Sequence, residues 1–198
     1  MPSLGTVLLD YVQSLFKSEI DIPEEELEEL RMTSTLEPEE ICRLRRVFYE
    51  RTGGIERMNL ATFKDIPCVS INPLKERVAM CFGFEAGVTS LDFPGFLTGV
   101  ARFNSHGRKD EKLKLAFRLQ DFDDDEKLSK EDLKQYLKLV TSDWADDKIT
   151  DMVDLTFREV KNQPPAPNAQ GEEQYIELSE FIRCMHATDF HTKLVLTL

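Results

Sequence analysis

The segment Asp121-Phe-Asp-Asp-Asp-Glu-Lys-Leu-Ser-Lys-Glu-Asp132 constrains this chain more than any other. With Asp121 as position one, carboxylates fall at positions one, three, five and twelve: Asp121, Asp123, Asp125 and Asp132. Lys127 at seven offers its backbone carbonyl, and Ser129 at nine acts directly or through water. A hard divalent cation takes six to eight oxygens, and a loop of this length supplies them in this order. Four ligand carboxylates held together repel one another without a cation, so the spacing points to ion binding rather than to an acidic turn. Two departures bear on strength and preference. Position six calls for a positive φ but carries Glu126, at a cost of about 1–2 kcal/mol. Position twelve is the shorter Asp132, which reaches bidentate geometry less easily than Glu and favours Mg²⁺ or weaker Ca²⁺ binding.

The flanking sequence is helical. Apolar residues recur at helical spacing in Ile41/Leu44/Val47/Phe48, Leu113/Ala116/Phe117, Leu133/Tyr136/Leu137/Val140 and Ile149/Met152/Val153/Thr156/Phe157/Val160. Asn72-Pro73 reads as a helix opening, with Asn as cap and Pro at the first helical position. Strand signal is confined to a few loop residues and the tail Lys193–Leu198. A weak repeat runs through the chain: an apolar loop residue is followed five positions later by an apolar residue opening the next helix. The pairs are Met58/Phe63, Leu91/Phe96, Leu128/Leu133 and Ile176/Phe181.

On that rhythm the other loops lack the ligand pattern. The first, Arg51–Thr62, has Arg at one and Thr at twelve. The second, Phe84–Gly95, has Phe, Ala, Val and Gly at one, three, five and twelve. The fourth closes through Tyr175–Phe181, but 162–170 is a Pro-rich insertion where the first ligands belong. Its Glu173, Glu177 and Glu180 form a weaker, irregular candidate for a second ion; the default reading is a solvated insertion.

The predicted fold is all-α: two pairs of helix–loop–helix units, three of the four degenerate, with short paired strands between loops and an extra N-terminal helix. The expected division is 1–34, an N-terminal helix (Leu4, Leu8, Tyr11, Val12 and Leu15) and an acidic linker; 35–104, the first pair; and 109–198, the second pair and tail.

The chain's net charge of −12 excludes a nucleic-acid partner, which needs a basic groove, and suits cations or basic amphipathic helices. Cys42, Cys68, Cys81 and Cys184 form no CxxC pair and read as reduced thiols of a cytoplasmic protein. No run of 18 apolar residues or secretory pattern is present, and Pro2 stands where N-myristoylation needs glycine. His106, His186 and His191 have no paired nucleophile or metal spacing, so catalysis in its own right is not expected.

Several segments resemble the EF-hand branch that contains calcineurin B, the calcineurin B homologous proteins and the calcium- and integrin-binding proteins. They are Ile71-Asn-Pro-Leu-Lys-Glu-Arg77, Leu91-Asp-Phe-Pro-Gly-Phe-Leu97, Lys112-Leu-Lys-Leu-Ala-Phe-Arg118 and the tail from Asp189 to Leu196. The resemblance spans about 35–198. It implies a regulatory subunit or adaptor binding Ca²⁺ (or Mg²⁺) at one site and an amphipathic helix of a larger partner in an apolar groove. The partner is a phosphatase catalytic subunit, a receptor tail or a transporter, with membrane contact only peripheral or through it. Leu137, Val140, Phe157, Phe181, Met185, Phe190 and Leu194 are the groove or tail candidates. Two alternatives accompany this reading: a calcineurin B-like regulatory component of a Ser/Thr phosphatase, and a constitutive structural component indifferent to Ca²⁺.

Overall fold

A computed structural model describes residues 21–103, 109–161 and 174–186. The elements in order are α1 (Glu24–Ser34), α2 (Pro38–Thr52), β1 (Arg57–Asn59), α3 (Leu60–Lys64), α4 (Pro67–Ser70), α5 (Lys75–Phe82), β2 (Ser90–Asp92) and α6 (Phe93–Phe103), then α7 (Lys109–Gln120), β3 (Lys127–Ser129), α8 (Lys130–Val140), α9 (Asp146–Lys161), β4 (Tyr175–Glu177) and α10 (Leu178–Met185). Pro38 opens α2 at a position where a missing N–H costs nothing, and Gly53, at φ +65°, closes it in the left-handed conformation.

The strands form two antiparallel pairs, β1 with β2 and β3 with β4, in registers that place Met58 opposite Leu91 and Leu128 opposite Ile176. These are the loop members of the sequence rhythm. All eight residues of the four pairs are buried, from 0 to 8% exposed. The five-residue offset is therefore the distance from an inward strand position to the first inward turn of the following helix.

The interior falls into two clusters. The first is rich in aromatic rings; Phe63 and Phe82 lie 4.6 Å apart, and Phe82 stacks on Phe103 at 5.5 Å. The second gathers Leu113, Phe117, Leu128, Val153, Phe157, Ile176 and Phe181, with Phe117 edge-on to Phe181. Helix α7 serves both: Leu113, Ala116 and Phe117 face the second cluster, while Leu115 and Leu119 face the first. One helix thus fastens the two halves, because apolar residues two apart lie on opposite flanks of its cylinder.

Some expectations are corrected. Helix α5 begins at Lys75, not at Pro73. Asn72 turns the chain instead, its Oδ1 accepting from Leu74 N at 2.8 Å and its carbonyl from Lys75 N at 3.1 Å. The acidic stretch, expected to be a solvated helix face or a linker, contains helix α1, which is not solvated all round: Leu30 is buried and Leu27 packs on the first cluster. Segments 1–20, 104–108, 162–173 and 187–198 lie outside the described residues, and with them the expected N-terminal helix, the Pro-rich insertion, His106, Glu173, His191 and the tail residues Phe190 and Leu194.

Candidate metal centre

The Asp121 loop leaves the C-terminus of α7, turns through Asp124 and Glu126, and enters β3 and α8. Both turning residues have left-handed backbone, φ +56° at Asp124 and +65° at Glu126. The turn holds because carboxylates take up the loop's N–H groups. Asp121 accepts from Glu126 N at 3.1 Å and Asp125 N at 3.3 Å, and Asp125 accepts from Lys127 N at 2.8 Å.

The structure brings Asp121, Asp123 and Asp132 together, with one carboxylate oxygen from each lying within 4.8 Å of the others. Asp121 and Asp132 are 4% and 3% exposed, whereas Asp123 and Asp125 are exposed. The Asp125 carboxylate stays outside this trio among the described residues, engaged with the Lys127 amide. Burial pushes the Asp121 carboxyl up to about 6, against the amides of Glu126 and Asp125, with the neighbouring acids Asp124 and Asp125 adding to the rise. Such a site holds uncompensated negative charge lined by hard oxygen donors, which suits a hard cation and not a soft one.

Ser129 and Asp132 also have a structural duty. Ser129 caps α8, its Oγ accepting from Asp132 N at 3.1 Å, while Asp132 Oδ2 accepts from Ser129 N at 2.9 Å. Asp132 Oδ1 accepts from Phe122 N at 3.0 Å and so closes the loop on itself. The same cap recurs where the ligand pattern is absent: Asn59 accepts from Thr62 N and Asp92 from Gly95 N, both at 2.9 Å. Position nine therefore keeps its helix-starting role in loops that lack ligands. The side chain of Lys127 lies over the ring of Tyr175, 4.4 Å from its centre, across the β3–β4 pair.

The fourth loop uses its acids in the same way. Glu177 and Glu180 form a capping box, and Glu180 accepts from Lys161 Nζ at 2.6 Å. Burial raises the Glu180 carboxyl, but Lys161 and the Glu177 amide together hold it below its ordinary value.

Among the described residues, the groove candidates do not share one open surface. Phe157 and Phe181 are core residues, 2% and 8% exposed, because the inward stripes of α9 and α10 meet there. Leu137 and Met185 are part-buried against that core, and Val140 is 39% exposed. Beside Val140, Leu139 on α8 and Met152 and Leu155 on α9 are exposed. The single Trp144 is half-buried against the second cluster, with Lys148 Nζ 3.9 Å from its ring centre. All four cysteines are free thiols.

Arg77 escaped the sequence reading. It reaches from α5 to the loop and pairs with Asp124 at 2.8 Å. The only sequence signal for it was its place in the segment Ile71–Arg77; nothing in the spacing reveals that an arginine there is buried.

No protein-family model matches the chain. It is 36% identical over 138 residues to the calcineurin B of Schizosaccharomyces pombe, covering 67% of this chain and 77% of that protein. It is 35% identical over 142 residues to the calcineurin B of Candida glabrata, covering 69% of this chain and 79% of that protein.

Proposed function

The chain belongs to the calcineurin B-like family of EF-hand proteins, and from that membership we propose that it is a cation-binding regulatory subunit or adaptor, not an enzyme in its own right. It has two pairs of EF-hands, 35–104 and 109–198, and the third hand holds the ion. Ca²⁺ or Mg²⁺ sits among Asp121, Asp123 and Asp132, with Asp125, the Lys127 carbonyl and Ser129 completing the oxygen shell on binding. The observation that carries this reading is the convergence of three carboxylates, two of them buried, at the positions the spacing prescribes. The ion contributes charge compensation; the chain's own residues supply the oxygens, the turn and the helix cap.

The partner is an amphipathic helix of a larger cytoplasmic protein, and a phosphatase catalytic subunit is the first candidate because the relatives are subunits of calcineurin. The exposed apolar residues of α8 and α9 and the net charge of −12 support a basic amphipathic helix as the bound element. A basic helical peptide of about 20 residues, long enough to span a small domain, titrated against Trp144 fluorescence with Ca²⁺ or EDTA, tests this. Binding that requires Ca²⁺ supports a sensor. Equal binding in EDTA supports the constitutive role, and no binding in either condition removes the helix-gripping function.

A further inference from the structure

Arg77 belongs to α5 and is 4% exposed, a position where each unpaired donor of a guanidinium is costly; its Nε is buried without a hydrogen-bond partner among the described residues, and the two Nη groups make the contacts. Its Nη2 donates to the backbone carbonyl of Arg118 at 2.7 Å, to the carbonyl of Asp121, and to Asp124 Oδ1 at 2.8 Å; Nη1 donates to Asp124 Oδ2 at 3.2 Å and to Met80 Sδ at 3.1 Å. The guanidinium carbon lies 5.6 Å from the centre of the Phe122 ring. The fork therefore takes up one carbonyl from the last turn of α7, which lacks a helical partner, and one from the first loop residue. It also grips a carboxylate at position four of the loop, a place that contributes no ligand. This draws Asp124 away from the trio and fixes the backbone of Asp121, the position-one ligand.

The contact joins different parts of the molecule. Val78, Ala79, Cys81 and Phe82 of α5 lie in the first cluster, whereas the loop opens the second, ion-binding half. A second bridge, Arg118 to Glu85 at 2.5 Å, is exposed on both sides, and solvent leaves such a pair little weight. The buried fork adds a directed polar link to the packing of α7 on the first cluster.

We propose that Arg77 is a positioning residue that links cation binding in the Asp121 loop to the first half of the chain, so that an ion bound at the third hand stiffens α5. The inference rests on the reading of that loop as a cation site. Its test is hydrogen exchange of the full chain in EDTA and in Ca²⁺, after calorimetry has established whether Ca²⁺ binds. In the wild type, Ca²⁺ slows the amides of α5 by about tenfold, within the usual range of coupling between sites. In Arg77→Met that slowing disappears from α5 while α7 and α8 keep theirs, an outcome that loss of packing alone does not produce. Asp124→Asn, altered at an exposed carboxylate, covers the case in which Arg77→Met does not fold, and reduces the slowing in α5. Unchanged slowing of α5 in either variant overturns the proposal, as does a wild type in which Ca²⁺ protects α7 and leaves α5 untouched. Absence of calorimetric heat in the wild type removes the ion reading instead, and the link is then judged in EDTA. There, α5 and α7 amides share one urea-dependent opening in the wild type and separate in Arg77→Met; separate openings in the wild type overturn it.

Discussion

Glu126 turns the loop through φ +65°, where an L-residue pays about 1–2 kcal/mol that glycine does not. Glu126→Gly is therefore expected to stabilise the ion-free protein by about 0.5–1 kcal/mol, the relief of strain exceeding the added freedom of the unfolded chain. Urea unfolding measures this, and a loss of stability contradicts it. Asp121 gives the pH dependence. Its folded-state value, about 6, exceeds the ordinary 3.8, so the folded chain holds this proton more tightly than the unfolded chain does. The group's contribution is favourable at low pH and is lost as pH rises through about 6. In EDTA, the wild type should lose about 2 kcal/mol relative to Asp121→Asn between pH 4 and 7, and parallel stability curves contradict this. Residue identity singled out the loop, since carboxylates at fixed intervals suit a hard cation, and the structure brings three of the four together. Arg77 was not legible, because whether an arginine lies on the surface or in the interior depends on partners 41 to 47 positions away.

At the scale of elements, the four loop-to-helix offsets carried the architecture. Each marks an inward strand residue and an inward helix residue, and their burial follows from the period of two meeting the period of 3.6. The start of α5 was misread because Asn-Pro serves a turn as readily as a helix opening. The docking of α1 was missed because its apolar residues are few among glutamates. The caps yield a prediction that separates folding from ion binding. Asn59→Ala should cost about 1 kcal/mol and leave the Ca²⁺ isotherm unchanged, since β1 and α3 belong to a loop without ligands; an altered isotherm contradicts the separation. Helix packing yields another. Gly99 of α6 lies against the Phe82 ring, where an added Cβ would come within 2.3 Å of ring carbon. Gly99→Ala should therefore destabilise the first cluster by about 1–3 kcal/mol, and an unchanged melting temperature contradicts the tight crossing of α5 and α6.

For the whole molecule, the net charge of −12 supports the proposal of a basic partner but does not locate the surface that meets it. Among the described residues, ten of the eleven phenylalanines are buried core, so the aromatic content there reflects two packed interiors rather than a wide groove. Phe157 and Phe181 show why periodicity cannot make that distinction: a stripe at helical spacing reads the same whether it meets the chain's own helices or a partner's. The two clusters share α7, and the Asp121 loop leaves its end, so the proposed ion is expected to act on both clusters. The most direct test of the account is Ca²⁺ calorimetry on the wild type and on Asp121→Ala/Asp123→Ala, with thermal unfolding alongside. The account predicts one site in the wild type, stabilisation of about 2.7 kcal/mol at a hundredfold excess over Kd, and loss of both heat and stabilisation in the double variant. No heat in the wild type, or the same isotherm in the double variant, would contradict it.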